Sequence, residues 1–140
     1  MSGCLFCQIA RGERTADTVF AGDGVVAFLD IFPCTPGHTL VIPREHYGTL
    51  SEMPLEEVGK LFQAAAMVAT KVQSALGAAG FNLGINNGKA AGQEVFHVHI
   101  HIIPRYPDDG GGSMKSVAHF KGKETLEQIA AKLRSAFSSS

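Results

Sequence analysis

Apolar positions along the chain change period several times, and each change marks an element. Leu55, Val58, Leu61, Phe62, Ala65, Val68, Ala69, Val72 and Leu76 recur at helical spacing, which predicts a long helix with one buried face. Pro54 marks its start and Gly77 its stop. Its alanine-rich opposite side suits close packing on a second element or another subunit. Phe81, Leu83 and Ile85 then alternate with Asn82, Gly84 and Asn86, the period of a half-buried strand. A further strand is expected from Val95 to Ile103, closed by Pro104. Upstream, Thr18–Ala21 and Val25–Asp30 read as short strands around the turn Gly22-Asp23-Gly24, and His38–Ile42 as a β-rich run stopped by Pro43. Leu5–Arg11 forms a short helix ended by Gly12. A last helix runs from about Lys123 to Phe137, with Leu126, Ile129, Ala130, Leu133 and Phe137 on one face. Residues 86–92 and 108–113 are polar or Gly-rich loops. This is an α+β pattern, with no repeat and no internal boundary across residues 1–140.

Composition narrows the class. The chain has 140 residues, 45% hydrophobic, and 12 Lys+Arg against 13 Asp+Glu for a net charge of −1. A domain of that length buries roughly 68–70% of its unfolded surface, so a core needs no staples. Balanced charge leaves no electrostatic footprint for nucleic acid or an anionic membrane. The first eleven residues lack the basic and apolar regions of a secretory signal, and the apolar run Ala64–Ala69 is far short of a membrane span. A reducing, cytoplasmic setting is expected. There, the three cysteines point to metal or redox chemistry rather than a bridge. Cys4-Leu5-Phe6-Cys7 is a CxxC pair, two ligands short of a zinc site and lacking the βαβ context of a thioredoxin-like motif.

The chemistry concentrates in His97-Val98-His99-Ile100-His101-Ile102-Ile103. In an extended segment, His97, His99 and His101 share one face, about 6.6–6.8 Å apart in steps of two residues, while Val98, Ile100 and Ile102 share the other. Three imidazoles in strict alternation are too regular for independently satisfied core histidines. Such a row serves either metal ligation, as HxH pairs do in cupin barrels, or nucleophilic attack on phosphorus with neighbours binding phosphate oxygens. A cupin would be nearly all-β with a carboxylate soon after the pair. Here the strand runs on to Ile103-Pro104-Arg105 with no acid, beside a long helix, which favours phosphorus chemistry.

Residues 92–105, Gly-Gln-Glu-Val-Phe-His-Val-His-Ile-His-Ile-Ile-Pro-Arg, resemble the motif of the histidine triad (HIT) family of nucleotide hydrolases and transferases. Asp30-Ile31-Phe32-Pro33 and residues 36–43, Pro-Gly-His-Thr-Leu-Val-Ile-Pro, match the family's first half in order and spacing. The resemblance covers about Leu5 to Arg105, leaving 106–140 as a C-terminal loop and helix. It implies a homodimer of HIT-like fold, a five-stranded antiparallel sheet with one long helix and a C-terminal helix, acting on a nucleoside phosphate derivative such as a phosphoramidate or dinucleoside polyphosphate. By motif position, His99 would attack the α-phosphorus, His101 would hold the phosphate, and His38 would bind it or orient the nucleophile. Asn86 and Gln93 would donate hydrogen bonds to the α-phosphate region. The nucleoside pocket would take in Leu5, Phe6, Ile9, Phe28, Leu29, Asp30 and Ile31, with Asp30 accepting from the ribose hydroxyls. Glu94 departs from the Ser or Thr of well-studied eukaryotic branches and leaves the preferred leaving group open, because a carboxylate repels a nearby phosphate.

The same resemblance implies a structural zinc held by Cys4, Cys7, His46 and His97, a closed Cys₂His₂ set. Cys34 and His119 match no motif. Two other readings stand beside the hydrolase: a nucleotide-binding or interaction module with vestigial catalysis, and a metalloenzyme built on the histidine row.

Overall fold

The computed structural model describes residues 3–138; the expected domain of residues 1–140 therefore has two residues at each end outside the described part. In chain order the elements are α1 (Leu5–Ala10), β1 (Thr18–Gly22), β2 (Val25–Leu29), β3 (Thr39–Pro43), α2 (Leu55–Leu76), β4 (Gly80–Ile85), β5 (Ile100–Arg105) and α3 (Leu126–Ser138). The five strands form one antiparallel sheet in the order β1-β2-β3-β5-β4. This is the five-stranded α+β architecture that the HIT resemblance implies. Helix α2 occupies the span its periodicity predicts. Gly77 closes it in the left-handed conformation at φ +67°, with its N–H and that of Ala78 returning to the last turn.

Side-chain alternation sorts the sheet into two faces. Val25, Ala27, Val41, Ile100 and Ile102 pack with Leu61, Ala65, Val68 and Ala69 of α2. Val26, Phe28, Leu40 and Ile42 point the other way and pack with Phe6 and Ala10 of α1. His101 stands opposite Leu40 on one side and Gly84 on the other, on the α1 face of the sheet. The larger of the two core clusters and the chemistry therefore lie on opposite faces of β5.

The structure corrects three expectations. The strand expected from Val95 begins at Ile100, because the ladders to β3 and β4 both stop at Ile100, at Val41 and Ile85. Residues 95–99 run on as irregular backbone, with the Val98 N–H donating to the Tyr47 carbonyl. Second, Pro104 does not close its strand, which runs on to Arg105, whereas β3 does end at Pro43, its last residue. The Pro104 carbonyl accepts from Thr35 Oγ1. Its missing N–H lies on that same side, beyond the end of β3, so no ladder bond is lost. The Pro43 carbonyl likewise faces the His97 ring and not a strand. Third, α3 starts at Leu126, not Lys123. Thr125 Oγ1 accepts from the Gln128 N–H and Gln128 Oε1 from the Thr125 N–H, a reciprocal cap that sets the first turn there. The apolar face of α3 is not buried within the chain: Leu126 and Phe137 are almost wholly exposed.

Candidate active site and metal centre

Two clusters form on the α1 face, joined through residues 97–101. The first brings together Cys4, Cys7, His46 and His97, whose ligand atoms lie within 4.8 Å of one another. Cys4 is the N-cap of α1 and Cys7 lies one turn later, so the CxxC spacing turns both sulfurs to one side. His97 Nδ1 is 3.5 Å from Cys4 Sγ and 3.6 Å from Cys7 Sγ, and His46 Nδ1 is 3.3 Å from Cys7 Sγ. A tetrahedral zinc with bonds of about 2.3 Å to sulfur and 2.0–2.1 Å to nitrogen has S···N edges of roughly 3.5 Å. The donors fit that ion. The outer shell fits as well: His97 Nε2–H donates to the Pro43 carbonyl at 2.8 Å, which leaves Nδ1 as the lone pair. Burial pulls the His97 pKa down to about 4 and, with the neighbouring Cys4, pushes the Cys7 thiol up. The imidazole is thus neutral at neutral pH, whereas thiolate formation is left for a bound cation to drive.

The second cluster contains His38, His99, His101 and Asp30. His99 Nδ1 lies 2.8 Å from the His97 carbonyl oxygen, an acceptor only, so Nδ1 carries the proton and Nε2 the lone pair. Phe6 meets the His99 ring edge-on with centroids 5.1 Å apart, and the His101 ring lies 5.0 Å away. His38 Nε2 is 2.9 Å from His101 Nδ1 and 3.5 Å from Asp30 Oδ2. Asp30 Oδ1 accepts from the Phe32 N–H. Burial lowers the pKa of His38, with the Asp30 charge opposing it. Burial, then the neighbouring His99 and His38, pulls His101 down to about 4. His101 Nε2 is buried and has no hydrogen-bond partner. An imidazole nitrogen left without a protein partner can, when it carries the proton, donate to an anion.

A scan against protein-family models matches residues 11–108 to the HIT domain. The chain belongs to the HIT family. A HIT family protein of known crystal structure from Bacillus subtilis superposes with a TM-score of 0.84 at 36% identity, over 99% of this chain and 97% of that one. A zinc-bound histidine triad family protein from Mycobacterium smegmatis superposes with a TM-score of 0.74 at 34% identity, over 96% of this chain and 98% of that one. Adenylylsulfatase HINT3 from Arabidopsis thaliana is 42% identical over 106 residues, 76% of this chain and 54% of that protein.

The other expected site residues of this HIT domain are placed unevenly. Phe6 and Phe28 are buried beneath the histidine cluster, with ring centroids 5.5 Å apart, whereas Ile31 is three-quarters exposed. Asn86 is exposed at the end of β4, beside Gly92. Gln93 is buried and its amide is spent on the backbone: Oε1 accepts from the Gly88 N–H and Nε2 donates to the Gly48 and Val95 carbonyls. In this state Gln93 braces the loop at residues 88–95. Glu94 points to solvent. A cavity of about 310 Å³ between β1 and α2 is lined by no histidine and lies on the opposite face.

Periodicity and motif reading missed several contributors. Thr35 Oγ1 donates to the Pro104 carbonyl, the Tyr106 hydroxyl to the Pro36 carbonyl, and the Cys34 N–H to His38 Nδ1. Arg105 makes a bidentate pair with Asp109 and also reaches Asn82 and the Gly112 carbonyl, which fixes the Gly-rich loop to β4. Except for the Arg105–Asp109 pair, four residues apart, these contacts join residues far apart in sequence or involve backbone groups, and no local pattern announces either.

Proposed function

We propose that this HIT protein is a nucleotide-binding hydrolase that cleaves nucleoside phosphoramidates or dinucleoside polyphosphates at the α-phosphorus through a covalent nucleotidyl group on His99. One observation carries the reading. The His99 Nδ1–H is bound to the His97 carbonyl at 2.8 Å, which leaves the ring's lone pair on Nε2. In the first step that lone pair forms a bond to the α-phosphorus and the bond from phosphorus to the leaving group breaks, the leaving group departing with the electron pair and taking up a proton from solvent. In the second, water attacks phosphorus and gives up a proton to solvent, the P–N bond breaks, and the electron pair returns to Nε2. Two inversions result. The fixed Nδ1–H···O=C bond also stabilises the cationic ring while phosphorus is attached.

The remaining residues serve this reaction by position. His101 donates from Nε2 to a phosphoryl oxygen, and His38 orders His101. Asp30 accepts from the ribose hydroxyls. Phe6 and Phe28 floor the base site and Ile31 covers it from the solvent side. Asn86 and the loop braced by Gln93 stabilise negative charge as it develops. Zinc at Cys4, Cys7, His46 and His97 is structural, since all four positions are protein ligands. The relative named as an adenylylsulfatase supports this reaction type, cleavage of a nucleotide phosphoryl group from a leaving group. We place the protein in the cytoplasm as a homodimer: none of its three cysteines forms a disulfide, no helix among the described residues is long and apolar enough to cross a membrane, and α3 leaves an apolar face uncovered.

The test is His99→Ala assayed with adenosine 5′-phosphoramidate and diadenosine tetraphosphate. Turnover of both should fall on the order of a thousandfold or more, and mass spectrometry of quenched wild type should show a nucleotidyl adduct on His99. Undiminished turnover by the variant would sink the assignment. A wild type that binds nucleotide and turns over neither compound would make the protein a binding module instead.

A further inference from the structure

The three groups Asp30, His38 and His101 lie within 4.8 Å of one another and could be taken for a ligand set. Hydrogen positions decide otherwise. A backbone N–H can only donate, so the Cys34 N–H, 3.2 Å from His38 Nδ1, requires a lone pair on that nitrogen. The proton of neutral His38 therefore sits on Nε2, where its neighbours are His101 Nδ1 at 2.9 Å and Asp30 Oδ2 at 3.5 Å. A cation on Nε2 would have to displace that proton, and the proton has no acceptor waiting at Nδ1. The bond from His38 Nε2–H in turn requires a lone pair on His101 Nδ1, which places the proton of His101 on Nε2. That is the atom with no partner.

The chain of bonds begins in the loop between β2 and β3, and the loop is held from outside. Thr35 Oγ1 donates to the Pro104 carbonyl at 2.7 Å, beyond the end of β3 where β5 has no ladder partner on that side. The His38 N–H closes the turn onto the Thr35 carbonyl, and the Tyr106 hydroxyl ties down the Pro36 carbonyl. Thr35 thus stands one residue from the amide that orders two imidazoles.

We propose that Thr35 is a positioning residue, holding the Cys34 amide so that it sets the tautomer of His38 and, through His38, makes the His101 Nε2–H a donor to phosphate. The proposal rests on the hydrolase reading for its consequence in turnover but not for the tautomers, which are measured without substrate. In the wild type, Nε2 of both His38 and His101 carries the proton, and Nδ1 of His99 does. Thr35→Val keeps the shape of the side chain and removes its donor. The turn is then free to shift, His38 populates the Nδ1–H tautomer, and the His101 proton is no longer confined to Nε2. Turnover number falls roughly ten- to a hundredfold, with KM changed much less. Thr35→Ser restores the donor and with it both readouts.

The experiment is long-range ¹H–¹⁵N correlation of the imidazole nitrogens at neutral pH in full-length wild type, Thr35→Val and Thr35→Ser, with kcat and KM for adenosine 5′-phosphoramidate alongside. A purely structural role for Thr35 would lower the melting temperature and leave the ring tautomers alone. Wild-type His38 protonated on Nδ1 would overturn the proposal even if Thr35→Val failed to fold. So would a folded Thr35→Val with wild-type tautomers and wild-type kcat. If the tautomers are as stated and no nucleotide is turned over by wild type, the hydrolase reading fails and the ordered chain stands.

Discussion

His101 carries a conflict that can be read in stability as well as in chemistry. Its half-buried ring lies against two other imidazoles, and its pKa falls to about 4 from an ordinary 6.5. In the unfolded chain it titrates near the ordinary value. Between those limits the unfolded state binds more protons than the native one, so stability rises with pH across that interval. The contribution is complete above about 6.5 and lost as pH falls toward 4. Denaturant midpoints measured from pH 7.5 to 4 should therefore decline, and a His101→Gln variant should decline less steeply. Equal slopes for the two proteins would show that His101 is solvated. The same burial keeps the ring neutral at physiological pH, which a neutral, proton-ordered donor requires.

At the level of elements, the turn entering β3 is the tightest joint in the fold. Gly37 has φ +89°, and a Cβ there would lie 2.3 Å from Leu76 Cδ1 at the end of α2 and 3.2 Å from Pro104 Cγ on β5. Leu76 can rotate away; the Pro104 ring cannot. Left-handed strain and overpacking together should make Gly37→Ala destabilising by roughly 2–4 kcal/mol, read as a lower denaturant midpoint. A midpoint within about 0.5 kcal/mol of wild type would mean that the joint relaxes freely. Because His38 follows directly, the variant is also expected to lose turnover. Helix α2 itself is bounded locally, by Pro54 before its first turn and Gly77 after its last.

Across the whole molecule, the Cys₂His₂ cluster ties α1, the segment after β3 and the segment before β5 at one point. An ion there would stabilise the native state by the ordinary linkage of ligand to folding. Purified protein should contain one zinc per chain. Chelation, or the double change Cys4→Ser and Cys7→Ser, should remove it and lower Tm by on the order of 10 °C. Because the proposed zinc is structural, the metal-free protein at low temperature should keep much of its turnover. Complete and immediate loss of turnover on chelation, with the fold retained, would make the metal catalytic.

Helix α2, the apolar side of β5 and the shared side of His97, His99 and His101 were legible in the sequence, because each follows from a period of 3.6 or 2 over neighbouring residues. The HIT motif was legible too, as a string of adjacent residues, and the CxxC pair announced half of a metal set. What local pattern misjudged was where pairing ends. Val95–His99 alternates like a strand, yet β3 and β4 offer it no ladder, and whether a strand exists depends on a neighbour far away in sequence. Pro104 looks like a stop, but a missing N–H matters only on a side where a partner strand waits. Only the tertiary structure could show that the Cys34 amide reaches His38, or that Pro43 anchors His97. A histidine's tautomer is dictated by whatever faces each ring nitrogen. That neighbour is chosen by the packing of distant segments, which no run of adjacent residues encodes.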